Sequence, residues 1–175
     1  MVSVAGLPAV SALVAPFHGS AVCSGPPSDH LEVETLVTTD ANRWSDAGEP
    51  TLYLAGDVGI ALAEVGRHWE SESDSGQLCL WQVRLDLAAA VDLRRPEVRS
   101  AVGVPDDPRW FLDRGRCREL AGRFRQSGIR GLIVPSVAFL DQGDRWNAVV
   151  FVDDASELRQ IVRMPRPVVR VDRQP

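Results

Sequence analysis

Residues 41–69 read ANRWSDAGEPTLYLAGDVGIALAEVGRHW, and the rest of the sequence is organised around this stretch. Residues 41–50 are polar and rich in turn formers, which predicts a loop. The run Thr51–Ala55 is rich in strand formers and predicts a short strand. Asp57 is a good N-cap residue, and the apolar pattern after it predicts a helix over Val58–Trp69. A loop, a strand and a helix are therefore expected to follow one another without a break.

Each of these elements carries one side chain suited to chemistry: Arg43 in the loop, Tyr53 on the strand and Glu64 on the helix. A guanidinium can hold a pair of phosphate oxygens, a phenol can stack on a ring, and a carboxylate can stabilise a developing positive charge. Ordinary structural roles remain open for all three. Arg43 can stack on Trp44 at the surface. Tyr53 can be a half-buried strand residue, and Glu64 can face water. The helical spacing predicts a core-facing stripe formed by Leu62, Val65 and Trp69.

The remaining sequence alternates short apolar runs with turn residues and shows no internal repeat. Residues Leu31–Val37 fit a strand or a short helix, and the proline-containing segment Asp92–Asp107 allows only short helical turns. Pro108 suits the first position of a further short helix. Strands are predicted near Ala15–Ser20, Leu78–Leu85, Gly131–Pro135, Ala148–Val152 and Val168–Val171.

A second clear helix is predicted over Gly115–Gln126, with Gly128 suited to its C-terminal cap. Its apolar stripe consists of Cys117, Leu120, Ala121 and Phe124. Its arginines are Arg116, Arg118, Arg123 and Arg125. We expect these arginines to form the solvated face of the helix, with a docking surface for an acidic partner as the alternative.

These elements predict one α+β domain over residues 1–175, with a mixed β-sheet core and flanking helices. Residues 1–14 are expected to be an N-terminal arm and residues 172–175 a tail. The arm is apolar, but it is shorter than the roughly 20 residues of a membrane span. It also lacks the basic residues of a secretory signal. The sequence therefore predicts a cytoplasmic protein that does not insert into a membrane.

Composition narrows the functional classes. The net charge of −5 opposes direct nucleic-acid binding driven by bulk charge. All 19 basic residues are arginine, which excludes lysine chemistry of the Schiff-base or P-loop kind. The three cysteines lie far apart, the three histidines form no HExxH motif, and no metal site is predicted. Nucleophile-elbow, P-loop and GxGxxG motifs are also missing, so nicotinamide redox chemistry and nucleotide-triphosphate hydrolysis lack their usual signals.

Several short motifs in order carry a family resemblance. RW, LYLA and ALAEV are followed by a strand ending in LDL and then by GLIVPS and WNAVVF. This series, from about Phe17 to Val152, resembles the RES domain. The resemblance implies an ADP-ribosyltransferase-like α+β fold. It also implies a bacterial toxin that degrades NAD by phosphorolysis or hydrolysis and is neutralised by an Xre-type antitoxin.

The resemblance also assigns site positions. It places Arg43, Tyr53, Glu64 and Ser136 at the family's site positions, and Asn147 at a further recurrent one. It implies that NAD is bound as substrate, with inorganic phosphate as an alternative co-substrate to water. Glu64 would stabilise the positive charge on the ribose and Tyr53 would stack on the nicotinamide. Arg43 would pair with the pyrophosphate.

One departure from the family pattern lies on the first strand. RES proteins usually carry an arginine there, whereas this sequence has PFHGS, with His18 and Gly19. His-Gly-Ser instead resembles the first motif of ADP-ribosyltransferases of the His-Tyr-Glu type. That comparison implies that His18 and Gly19 contact NAD, with Tyr53 and Glu64 following in the same order.

Three functions are therefore open. The first is an NAD-degrading toxin, the second an ADP-ribosyltransferase acting on a macromolecule, and the third an inactive RES-like binding module. The oligomeric state stays open, with a homodimer as one alternative.

Overall fold

The computed structural model describes residues 12–69 and 77–172, and only the backbone of residues 67–69, 155 and 172. The first eleven residues of the expected arm and residues 173–175 of the expected tail lie outside this description. Within the described ranges, no helix is long and apolar enough to cross a membrane.

The described residues form six strands and four α-helices. The strands are β1 (Val14–Gly25), β2 (Thr51–Ala55), β3 (Gln77–Asp92), β4 (Gly131–Pro135), β5 (Trp146–Phe151) and β6 (Val162–Asp172). The helices are α1 (Val58–Trp69), α2 (Pro96–Ala101), α3 (Arg114–Gln126) and α4 (Ala155–Ile161). Two short 3₁₀ helices cover Val33–Leu36 and Pro108–Leu112.

The strands close into a small barrel. Their order is β1-β2-β5-β4-β3, and β3 also pairs with β1, which completes the ring. The pairing between β1 and β2 is the shortest in the ring, a single residue pair between Val22 and Ala55. β3 holds the ring together because β1 runs along one of its edges, while β6 and then β4 occupy the other. Among these pairings only β3–β4 is parallel, so the sheet is mixed.

Alternation along the strands separates an inner core from two outer ones. Leu52 and Leu54 of β2 point into the barrel, which is filled by Trp81 and other buried residues. The outer surface near β1 and β2 is covered by Ile60 and Ala61 of α1. The outer surface near β4 and β5 is covered by α2, α3 and the ring of Trp44. The observed architecture is α+β, as predicted.

α1 has the predicted bounds, but a different face is buried. The Asp57 carboxylate accepts a hydrogen bond from the Ile60 N–H at 2.9 Å, which confirms the N-cap. Ile60 and Ala61 are buried, whereas Leu62 is 41% exposed, so the predicted stripe is wrong at Leu62. The Trp69 side chain lies outside the described residues. Because the run IALA is apolar all round, its periodicity cannot select one face.

The apolar stripe of α3 is confirmed, since all four of its members are buried. Gly128 has φ +75°, the left-handed conformation expected of a C-terminal cap. The prediction that the arginines of this helix are solvated is confirmed for Arg116 and Arg123 and wrong for Arg118 and Arg125. The side chains of Arg118 and Arg125 are 29% and 15% exposed.

Both inward-turned arginines contact the loop at residues 41–50 or the start of β2 that follows it. Arg118 Nε donates to the Asn42 carbonyl at 2.7 Å. The Arg125 guanidinium lies over the Phe151 ring, 4.0 Å from its centroid, and donates to Thr51 Oγ1 at 2.5 Å. Local sequence did not indicate the two hydrogen bonds because they join residues more than 70 positions apart.

Other differences from the prediction concern the type, length and number of the helices and strands. Residues Val33–Leu36 form a 3₁₀ helix, which settles the open choice between strand and helix. β1, β3 and β6 are longer than predicted, because pairing between them extends each strand beyond its own apolar run. α4, capped by the Asp154 carboxylate, was not predicted.

Candidate active site

Strand alternation brings polar groups of β2 and β5 to one patch outside the barrel. Tyr53 is paired with Val149 and Ala55 with Asn147. Because Leu54 and Ala148 point inward, Tyr53 and Asn147 share the outer surface on adjacent strands. Val134 of β4 lies beside Asn147 and continues this surface.

The connection between β2 and α1 fixes the position of Glu64 over this patch. The Gly56 N–H donates to the Trp146 carbonyl at 2.8 Å. A Cβ at Gly56 would lie 2.8 Å from that oxygen and 2.7 Å from the Trp146 ring, so only glycine fits without a shift. Arg145 pairs with Asp57 at 2.6 Å and joins the start of α1 to the segment before β5. α1 is therefore attached to β5 at its first turn.

Glu64 meets Asn147 across this junction. The Asn147 side-chain N–H donates to Glu64 Oε1 at 2.9 Å. The other polar atom of that amide, Asn147 Oδ1, is buried and has no hydrogen-bond partner in the described part of the chain. A buried acceptor without a partner is costly, so this oxygen is suited to receive a hydrogen bond from a ligand.

Glu64 and Asn147 separate a cleft into two lobes. The first lobe has a volume of about 380 Å³ and apolar walls that include Val22, Ala61 and Val65. Cys23 also lines it, but burial raises the pKa of this thiol to about 12, so it stays protonated and is a poor nucleophile.

The second lobe has a volume of about 310 Å³ and carries the cations. Arg43 and Arg114 line it, together with Trp44, Pro135 and Val137. Four residues belong to both lobes: Asn42, Tyr53, Glu64 and Asn147. The structure thus brings together four of the sequence-predicted site residues, Arg43, Tyr53, Glu64 and Asn147, around one cleft.

Arg43 is held at the wall of the second lobe by main-chain acceptors. Its Nη1 donates to the Phe111 carbonyl at 2.8 Å and to the Leu112 carbonyl at 3.0 Å. Its neighbour Trp44 is buried against the Phe111 ring, with centroids 6.2 Å apart. The loop 41–50 is therefore fixed to the 3₁₀ helix before α3.

Tyr53 presents its ring to both lobes while its hydroxyl is engaged elsewhere. The hydroxyl lies 3.0 Å from Ser45 Oγ and accepts from the Trp44 N–H at 3.3 Å. Burial raises the pKa of the phenol, and the hydrogen bond with Ser45 opposes that rise only in part. The phenol is therefore neutral near pH 7 and is suited to ring contact rather than to proton transfer.

Ser136 lies behind the wall of the second lobe. It is fully buried, and the residues on both sides of it, Pro135 and Val137, line the lobe. Its Oγ accepts from the Ala138 N–H at 3.3 Å, and its own N–H donates to the Arg145 carbonyl at 2.9 Å. The observed role of Ser136 is to close the turn after β4.

His18 and Gly19 are not brought to the cleft. They line a separate groove of about 560 Å³ across β1, β3 and β6. His18 Nδ1 lies 2.9 Å from Asp86 Oδ1, and the histidine side chain is 64% exposed. Since Val22, Cys23 and Ser24 are the β1 residues that reach the first lobe, the expected arrangement of His18 with Tyr53 and Glu64 does not form.

Sequence reasoning missed two residues of the cleft. Asn42 precedes Arg43, and its Oδ1 accepts from the Arg43 N–H at 2.9 Å. Asparagine is common in turns, so its type alone did not indicate a site residue. Arg114 carried no usable signal, because α3 and its flanks contain many arginines. In the part of the chain that is described, no cluster of three or more histidine, cysteine or acidic residues is arranged to hold a metal ion.

The fold and the cleft define a class of α+β protein: a small closed mixed barrel with a two-lobed cleft outside β2 and β5. Residues 14–172 match the family model of the RES domain, so the chain belongs to the RES domain family.

Structural comparison agrees on the fold. The chain is similar to a chain in the crystal structure of the M. tuberculosis MbcT–MbcA toxin–antitoxin complex, with a TM-score of 0.63. The two are 19% identical, and the match covers 95% of this chain and 90% of the other. A search of curated protein sequences gives no match.

Proposed function

We propose that this protein is a toxin that cleaves the nicotinamide–ribose bond of NAD. The observation that carries the proposal is the position of the Glu64 carboxylate, held by Asn147 where the two lobes meet and beside the Tyr53 ring. Membership of the RES domain family supports the same activity.

The chemistry needs an anion beside the ribose. As nicotinamide leaves, positive charge builds on C1 of the ribose and on its ring oxygen. Glu64 stabilises that charge and accepts a hydrogen bond from a ribose hydroxyl, while Asn147 fixes the carboxylate and offers Oδ1 to the ligand. The neutral Tyr53 ring packs against the nicotinamide.

The electron pair of the broken bond leaves with nicotinamide as the neutral base. An oxygen of water or inorganic phosphate then bonds to C1. The products are ADP-ribose and a proton from water, or the 1-phosphate of ADP-ribose from phosphate. No second function is proposed, because His18 and Gly19, which motivated the transferase alternative, lie in a separate groove.

The proposal includes a protein partner and a place of action. The fold is similar to a chain from a complex whose title names a toxin and an antitoxin, which supports an antitoxin for this chain. By family resemblance that antitoxin is of the Xre type, and the site of action is the cytoplasm, where NAD is abundant.

The test is NAD consumption by the purified chain, followed as nicotinamide release with and without phosphate. We expect wild type to release nicotinamide, with free ADP-ribose or its 1-phosphate identifying the acceptor. Intact NAD under both conditions contradicts the proposal. Nicotinamide release with ADP-ribose attached to a protein or nucleic acid would instead establish a transferase.

A further inference from the structure

The two lobes of the cleft share Glu64 but differ in their cationic side chains. The described lining of the first lobe contains no arginine, and its thiol and phenol are neutral. The second lobe contains the guanidinium groups of Arg43 and Arg114. Phosphate oxygens need strong donors, and guanidinium groups supply them in pairs. A ligand that carries a pyrophosphate therefore has only one lobe that suits its anionic part.

The two arginines of that lobe are not equivalent. Arg43 Nη1 already donates to two carbonyls, those of Phe111 and Leu112. The positive charge of Arg43 also lowers the pKa of the buried Cys117 thiol, although burial raises that pKa by more. These contacts hold Arg43 as part of the wall, since moving it would leave main-chain acceptors without donors.

Arg114 is placed differently. It is the first residue of α3 and lies two positions after Leu112, so it belongs to the segment that Arg43 fixes. Its side chain is exposed and lines the lobe, and it makes no hydrogen bond or ion pair with the described part of the chain. A ligand phosphate can therefore pair with Arg114 without breaking a hydrogen bond or ion pair in the described part of the chain.

We propose that Arg114 is the residue that binds the pyrophosphate of the ligand in the second lobe, and that Arg43 is a positioning residue. The ribose of the scissile bond then lies at Glu64 and Asn147, and the nicotinamide extends into the first lobe, whose described lining has no arginine. This inference rests on the proposed function for the identity of the ligand, but it concerns binding and not turnover.

The experiment measures ADP-ribose binding to the full chain by calorimetry, in low and high salt. Arg114→Gln should weaken binding about 10-fold and flatten the salt dependence, because a charge-assisted contact is lost. Arg114→Lys should recover part of the affinity. Arg123→Gln, an exposed arginine on the same helix, is the matched control and should bind as wild type does.

Thermal unfolding separates the two roles. Arg114→Gln should keep the wild-type Tm, whereas Arg43→Gln should lower it by orphaning two carbonyls. The proposal is overturned if wild type does not bind ADP-ribose, if Arg114→Gln binds it with wild-type affinity, or if Arg123→Gln loses as much. Arg114-dependent binding without any NAD cleavage would leave this inference standing and overturn the proposed function.

Discussion

The Asn147 amide donates to the Glu64 carboxylate at 2.9 Å, and this contact joins α1 to β5 across the centre of the cleft. The two residues are 83 positions apart in sequence. The amide fixes one carboxylate oxygen and leaves the other for a ligand. Because the amide is neutral, it leaves the negative charge of Glu64 uncompensated, whereas an arginine in its place would compensate that charge.

Glu64→Gln tests the need for that charge. Glutamine keeps the shape but removes the negative charge that stabilises the ribose cation. We expect kcat for NAD cleavage to fall about 10²–10³-fold, by analogy with the loss of one transition-state-stabilising group. Nicotinamide release measures the effect. Glu119→Gln, an exposed change on α3, should keep wild-type activity. A fully active Glu64→Gln protein would remove Glu64 from the mechanism.

Asn147→Asp tests how the carboxylate is held. Two carboxylates at this distance cannot both be ionised without strong repulsion, so the pKa of one of them rises. We expect the variant to be less active than wild type at neutral pH, with a new pH dependence in kcat. Asn147→Ala, which lacks the second acid, should lose activity without that pH dependence. Identical pH profiles for all three proteins would contradict the role given to this amide.

His18→Ala tests the separation of the two grooves. Because His18 contacts Asp86 on the exposed side of β1 and β3, we expect NAD cleavage to stay within about 2-fold of wild type, the scatter of surface substitutions. The hydrogen bond from His18 also lowers the pKa of Asp86, so the variant should raise that pKa toward its ordinary value. Loss of nicotinamide release with an unchanged Tm would show that His18 belongs to the site after all.

The sequence predicted what depends on local pattern. The bounds of β2 and α1 match because Asp57 caps the helix and strand formers precede it. The same pattern placed Arg43, Tyr53 and Glu64 on consecutive elements, and the family resemblance added Asn147. The relation of this fold to ADP-ribosyltransferases stays a prediction.

What local pattern could not predict are the pairings between distant segments. Closure of the barrel depends on β1 pairing with β3, and no local pattern encodes which strands become neighbours. His18 shows the consequence. It has the expected place in the sequence order, but it sits four residues before Val22, the β1 residue that faces β2. The inward orientation of Arg118 and Arg125 could not be predicted for a similar reason, because the residues that accept their hydrogen bonds are distant in sequence.

Tyr53→Phe tests the buried phenol through the pH dependence of stability. Burial raises the pKa of Tyr53 above its ordinary value of about 10, so the folded protein holds this proton to higher pH than the unfolded chain does. Its stabilising contribution is full below pH 10 and is lost as the pH rises toward the raised value.

We therefore expect Tyr53→Phe to lose about 1 kcal/mol of unfolding free energy at pH 7, where the contacts with Ser45 and Trp44 are removed. We also expect its unfolding free energy to decline less above pH 10. Urea unfolding at both pH values measures the difference. Ser45→Ala keeps the titrating phenol and should retain the alkaline decline. Equal declines in wild type and Tyr53→Phe would contradict the assignment.

Arg125→Met tests the contact that holds the end of the 41–50 loop. The Arg125 guanidinium covers the Phe151 ring, donates to Thr51 Oγ1 and lies 3.6 Å from Glu49 Oε2. Methionine keeps an apolar stem over the ring but removes the charge and the donors. We expect a loss of about 1–3 kcal/mol in the free energy of unfolding, because the partly buried Glu49 is left without its cation.

Arg125→Lys should recover little of this loss, since an ammonium group lacks the planar surface that stacks on the ring. Arg123→Met, on the exposed side of the same helix, is the matched control and should change the unfolding free energy by less than about 0.5 kcal/mol. If Arg125→Met were as stable as Arg123→Met, the buried guanidinium would contribute no net stability. In that case α3 would hold the loop through Arg118 and the packing of Trp44 alone.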